Sequence, residues 1–169
     1  MFERVEVDYP KLTEVGNRFL GTGEFLSMFF RPKAPTATYP NFDRGFQAVL
    51  ADVVQSDFIG EAFPQLVPLN VPAAMKFARL DRYEFEGSLV SVLLEGTCTE
   101  RVVSGEGEAR EVVQSIFRSA FRPDGGLWAW RLDDWSWSTL TKGATVAWAY
   151  FVYESSQRIW WFVCFADHY

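Results

Sequence analysis

Apolar positions are densest between Ala144 and Ala166, ATVAWAYFVY-ESSQ-RIWWFVCFA, where two runs rich in β-branched and aromatic residues flank a short polar turn. That arrangement predicts a β-hairpin. A loop of two or four residues centred on Ser155 and Ser156 sets Tyr153 opposite Arg158, Val152 opposite Ile159, Tyr150 opposite Trp161, Trp148 opposite Val163 and Val146 opposite Phe165. On the other face Phe151 meets Trp160, Ala149 meets Phe162 and Ala147 meets Cys164. Both faces are apolar, which is the pattern of strands inside a sheet covered on both sides. The small–large pairing on the alanine face calls for something bulky against it, a helix.

Upstream, Phe2 to Asp8 alternates weakly and predicts a short strand. Asp8 is placed to cap a helix entered through Tyr9 and Pro10, with Leu12, Val15, Phe19 and Leu20 as its buried stripe and Gly21 and Gly23 as its end. Glu24 to Phe30 is a compact apolar run that suits strand or helix, and its period does not decide. The segment Pro32 to Asn41, PKAPTATYPN, predicts a loop long enough to act as a lid or binding loop. Asp43 opens an amphipathic helix with Phe46, Val49, Leu50, Val53 and Val54 on one face. Three prolines make Phe63 to Pro72 an extended segment, and Ala73 to Leu80 predicts a helical turn or two.

Arg82 to Glu95 alternates at first and then turns continuously apolar, which predicts a strand with a bulge at Gly87. A turn at Gly96 leads to a second strand over Thr97 to Val103. Glu106 to Phe121 is the clearest helix, with Ala109, Val112, Val113, Ile116, Phe117 and Ala120 on one side. Arg122-Pro123-Asp124-Gly125-Gly126 stops it. Leu127 to Leu132 predicts a strand, followed by a tight turn at Asp133-Asp134 and a return strand through Trp137. No period of 20–50 residues recurs, so repeat architectures are set aside. The chain reads as a single α+β domain over residues 1–169, amphipathic helices packed on a mainly antiparallel sheet whose core is the C-terminal hairpin 144–166.

Composition narrows the function classes. A hydrophobic fraction of 49% and an aromatic fraction of 17% in 169 residues are enough for one well-packed core and argue against disorder. The net charge is −6 with no Lys/Arg block, which disfavours nucleic acid as a partner and suits a basic protein instead. Cys98 and Cys164 sit in apolar, strand-like contexts and read as small hydrophobes, not as a disulfide framework. MFERVEVD lacks the apolar run of a signal peptide, and Glu154 and Arg158 interrupt the best candidate for a membrane span. The expectation is a cytoplasmic protein without a membrane partner.

Candidate chemistry is thin. The single histidine, His168, is penultimate, a poor place to hold a general base for a Ser or Cys nucleophile. No CxxC, HExxH or paired-histidine spacing occurs, so no metal or cofactor is implied. Gly21-Thr22-Gly23 and Gly105-Glu106-Gly107-Glu108 lack the surroundings of a phosphate loop. Carboxylates at Glu84/Glu86, Glu106/Glu108/Glu111 and Asp133/Asp134 could serve acid–base work, with Glu84 and Glu86 paired on one strand face. All seven tryptophans fall between Trp128 and Trp161. Those of the hairpin, Trp148, Trp160 and Trp161, belong to the core. Trp128, Trp130, Trp135 and Trp137, with Arg131, Asp133 and Asp134, make the mixed aromatic and charged set that interfaces use.

These features point to a non-catalytic, acidic protein-binding module. Its profile (small, single-domain, acidic, without catalytic motifs) is similar to that of bacterial immunity proteins that neutralise a cognate toxin; no motif carries the likeness. Two alternatives stand beside it. One is a small-ligand pocket enclosed by the C-terminal sheet and the helices with Pro32 to Asn41 as lid. The other is an enzyme on that cavity with Glu84, Glu86 or Asp134 as acid or base.

Overall fold

A computed structural model describes residues 2–33, 48–53, 55–62, 75–134, 136, 138 and 140–169. Six strands, β1 (Phe2–Val5), β2 (Glu24–Pro32), β3 (Phe77–Leu80), β4 (Leu127–Leu132), β5 (Val146–Glu154) and β6 (Ile159–Asp167), form one antiparallel sheet in the order β1-β2-β6-β5-β4-β3. The helices are α1 (Pro10–Leu20), α2 (48–53), α3 (Asp57–Ala62), α4 (Arg82–Glu95) and α5 (Glu106–Ala120). The fold is α+β, and the C-terminal hairpin is its centre. Among the described residues no helix is long and apolar enough to cross a membrane.

The central position of β5 and β6 follows from their composition. Trp148, Tyr150, Val152, Trp161, Val163 and Phe165 face α1, α4 and α5, where Phe19, Phe85 and Phe117 meet them. Ala147, Ala149, Phe151, Trp160, Phe162 and Cys164 face the other way, into a second apolar layer with Val49, Leu50 and Val53 of α2 and with Ile59. The small residues of β5 thus share an apolar cluster with residues of a helix. Stacked rings occupy the first layer: Phe29 lies parallel to Trp161 with centroids 5.3 Å apart, and Phe85 meets Tyr150 edge-on at 5.5 Å. These rings pack the centre of the layer between the sheet and the helices. Of the expected lid, only Pro32 and Lys33 are among the described residues.

The hairpin register differs from the expected one by two residues. Glu154 pairs with Ile159, Tyr153 with Trp160, Val152 with Trp161 and Ala149 with Cys164. The cause is the Glu154 carboxylate, which extends β5 by one residue. It caps a four-residue loop, accepting from the Ser156 N–H (2.8 Å), the Ser156 hydroxyl and the Gln157 N–H (3.0 Å). Arg158 closes that loop at φ 56°, in the left-handed region. An even shift preserves which side chains share a face, whereas a shift of one would have inverted every one of them.

The larger correction concerns Arg82 to Glu95, which is helix α4 and not a strand. Asp81 caps it: the side chain accepts from the N–H groups of Tyr83 (2.8 Å) and Glu84 (2.9 Å), while the Glu84 carboxylate accepts from the Asp81 N–H at 2.8 Å. Phe85, Leu89, Val92 and Leu93 recur at helical spacing and are buried. Gly87 is no bulge; it lies inside the helix, where an added Cβ would meet nothing. Thr97 to Val103 is a closed turn instead of a second strand. The Thr97 N–H donates to the Glu100 carbonyl at 2.9 Å, its hydroxyl accepts from the Glu100 N–H at 3.0 Å, and the Cys98 N–H donates to Asp167 at 3.1 Å. Gly96 takes φ 70° at the start of this turn, with the Glu100 carbonyl 2.4 Å from where a Cβ would stand.

Smaller differences follow the same logic. Glu24–Pro32 resolves as strand β2, and Phe77–Leu80, expected as helical, is the edge strand β3. The N-cap of α1 is Tyr9, without a side-chain cap bond from Asp8, and Leu20 is exposed. Residues 133, 134, 136 and 138 form no return strand. Phe46 and Val54 of the expected Asp43 helix, and the extended segment Phe63 to Pro72, lie outside the described residues.

Candidate functional site

The expected aromatic and charged set is divided by the sheet. Alternation along β4 sends Trp128 and Trp130 to the α2 side and Arg131 to the α4 side. Trp130 is fully buried and stacks on Trp160 with centroids 6.2 Å apart, so it is core and not surface. Trp128 is half-buried and packs on Tyr153 at 5.9 Å. Asp134 accepts from the N–H (2.9 Å) and the hydroxyl (2.6 Å) of Ser136, and these bonds hold its carboxyl below the usual range. Trp135 and Trp137 are outside the described residues. Among the described residues of the set, Arg131 and Asp133 are held together, joined by a 2.7 Å bond from Nε to Oδ1.

That pair lines a cleft of about 320 Å³ between α4 and the strands β4 and β5. Helix α4 contributes Ser88, Ser91, Val92 and Glu95, which the 3.6-residue period places on one side. Strand β5 contributes Trp148 and Tyr150, the latter directly opposite Arg131 in the register. Ser88 Oγ and the Tyr150 phenol share a 2.6 Å hydrogen bond. Burial pushes the Tyr150 hydroxyl up to about 12, against the opposing effects of the Ser88 bond and the Arg131 charge. At neutral pH the phenol is protonated, and the hydroxyl pair has one O–H to donate onward. The Asp133 bond raises the Arg131 guanidinium further above its ordinary value. The buried indole Nε1–H of Trp148 has no acceptor among the described residues.

Sequence reasoning found Arg131 and Asp133 and missed Ser88, Ser91, Glu95, Trp148 and Tyr150. The α4 residues were hidden by the strand assignment; the Asp81-x-x-Glu84 capping signature was the signal that places them on a helix. A larger hollow of about 710 Å³ lies near Phe2, Lys33, Asp52 and Asp57.

Other candidate chemistry is structural in this fold. Glu84 and Glu86 are two apart on a helix and do not face one another, and Glu84 is committed to the cap. Glu108 accepts from the Ser104 N–H at 2.6 Å and from Arg18 at 2.9 Å, which lowers its carboxyl to about 2. Glu106 pairs with Arg110, and Glu111 with Lys11 across to α1. His168 Nε2 lies 2.6 Å from the Leu140 carbonyl oxygen. Cys164 is buried and its thiol is pushed far up by burial; Cys98 is also a free thiol. Among the described residues no group of three His, Cys, Asp or Glu side chains is arranged to hold a metal ion.

No protein-family model matches the chain, and no curated protein matches it. Two crystal structures of citrus MAF1, in space groups P 31 2 1 and C 2 2 21, align with it at a TM-score of 0.47 and 13% identity, over 92% of this chain and 97% of theirs. Similarity at that level assigns no function.

Proposed function

We propose that the chain is a non-catalytic binding protein that recognises a protein partner through the cleft between α4 and β4. The observation that supports this reading is the fixed Arg131–Asp133 pair beside the Ser88–Tyr150 hydroxyls and Glu95. A few convergent polar groups on a rigid helix and strand are what a recognition site needs. Tyr83, 82% exposed, and Leu94 stand on the outward side of the same helix and supply apolar contact beside the charges. The net charge of −6 favours a basic partner, because opposite fields speed encounter and suppress wrong pairings.

An immunity-type role is the finer form of the proposal: the partner is then a toxin encoded beside this gene. The test is binding between the purified chain and the product of a neighbouring toxin-sized reading frame, measured by surface plasmon resonance. Charge reversal at Asp133→Lys or Glu95→Lys weakens that binding at least about tenfold, as expected for charges inside an interface. A partner that binds both variants as tightly as the unaltered chain removes the cleft from the proposal. Failure of every neighbouring product to bind, with no effect on the host when the gene is deleted, removes the immunity role.

A further inference from the structure

We infer that the cleft receives one basic side chain, an arginine or lysine presented on an extended segment of the partner. This rests on the proposal that the cleft is the recognition surface. The charges in it do not cancel. Arg131 and Asp133 neutralise one another through their 2.7 Å bond. Glu95 makes no ion pair among the described residues and has only the Ser91 hydroxyl at 3.4 Å, a long contact. Both acids lie near enough to the Tyr150 phenol to oppose its ionisation, so their fields converge on the same space. A cation entering there meets the uncompensated carboxylate first.

The remaining groups suit the rest of such a residue. Val92, Leu132 and Trp148 give apolar wall for the methylene stem. Arg131 commits its Nε to Asp133, which leaves its terminal nitrogens to donate to backbone carbonyls of the segment. A volume of about 320 Å³ is enough for one long side chain.

The test uses the whole chain, labelled with nitrogen-15, and three blocked tripeptides with arginine, citrulline or glutamate at the centre. Citrulline keeps the shape of arginine without its charge. The reporter is the Trp148 indole N–H resonance, assigned with Trp148→Phe. The arginine peptide shifts that resonance saturably, the citrulline peptide binds more weakly, and the glutamate peptide does not bind. Glu95→Gln weakens the arginine peptide about two- to fivefold, the range for a partly exposed ion pair. Equal binding of citrulline or glutamate peptides overturns the inference, as does an unmoved indole with arginine peptide at about 10 mM. Those results leave the cleft itself in place, whereas partner binding indifferent to Asp133→Lys and Glu95→Lys removes the cleft.

Discussion

The carboxylate of Glu154 lies directly beneath Gly125: a Cβ added at that glycine would stand 1.8 Å from Oε1. The turn before β4 is thereby seated on the end of β5. Glu154 is fully buried and holds the hairpin loop through Ser156 and Gln157, so it cannot withdraw without breaking those bonds. Gly125→Ala is therefore expected to destabilise the fold by about 1–3 kcal/mol, as overpacking does. The midpoint of thermal unfolding drops by several degrees. Because the clash is with one carboxylate, Gly125→Ala costs much less when Glu154 is already alanine. Additive losses in that double-mutant cycle would show that the two positions are not coupled.

A second expectation concerns acid. Glu108 ionises at about 2 in the folded chain, lowered by the Ser104 N–H and by Arg18, from an ordinary value of 4.5. A carboxylate lowered on folding contributes stability that is fully present above its unfolded value and is lost as pH falls through its folded value. The loss from this group therefore runs from about pH 4.5 down to about pH 2. Urea midpoints of the unaltered chain and Glu108→Gln should differ most at pH 6 to 7 (roughly the plateau above both values) and converge as pH approaches 2. A gap that stays constant across the range would mean that ionisation of Glu108, held by the Ser104 N–H and Arg18, contributes nothing.

Helix α4 depends on its cap. Asp81→Ala leaves the N–H groups of Tyr83 and Glu84 without their acceptor and is expected to cost about 1 kcal/mol. Hydrogen exchange should quicken in the first turn of α4 and spread to Ser88, which would loosen the cleft. Asn at the same position restores most of the loss, since it caps almost as well.

The cap also explains where sequence reading stopped. Between Leu89 and Leu94 the apolar residues of α4 run almost unbroken, and Tyr83, Glu84, Phe85 and Glu86 alternate, so neither stretch shows a helical period. The decisive information was local and polar, in Asp81 and Glu84. The hairpin was legible for the opposite reason: both strands are apolar on both faces, and only the sheet's centre accommodates that. Its register was not legible, because a buried carboxylate at Glu154 chose the loop, and composition does not report which acid will fold back. The same limits apply at the candidate site. Arg131 and Asp133 are neighbours in sequence and were found; Ser88, Glu95 and Tyr150 come to them only through the packing of α4 on β4 and β5.

The Trp161 indole tests how far the central layer tolerates loss. It stacks on Phe29, meets Phe85 and Phe121, and donates from Nε1 to the Ser27 hydroxyl at 2.8 Å. Trp161→Phe keeps a ring in the layer and leaves Ser27 to find another partner. Trp161→Ala empties the layer and is expected to cost about 3–5 kcal/mol. Chemical denaturation separates the two, and a small effect from alanine would mean the helices close over the gap.

The hydroxyl pair in the cleft gives an asymmetric expectation. Tyr150 is fully buried and Ser88 is only half-buried, so the two partners differ in what they can do when left alone. In Tyr150→Phe the Ser88 hydroxyl turns to water, and the cost is that of one ordinary hydrogen bond, about 0.5–1.5 kcal/mol. In Ser88→Ala the phenol stays inside without its partner, and the cost rises toward about 1–3 kcal/mol. Ser88→Ala should therefore be the more destabilising change although each variant removes a single hydroxyl oxygen. Denaturation midpoints of the two variants decide this, and equal losses would mean that water reaches the phenol from the cleft. Absorbance titration adds an independent check: Tyr150 should ionise at about 12, and that late phase should be missing in Tyr150→Phe.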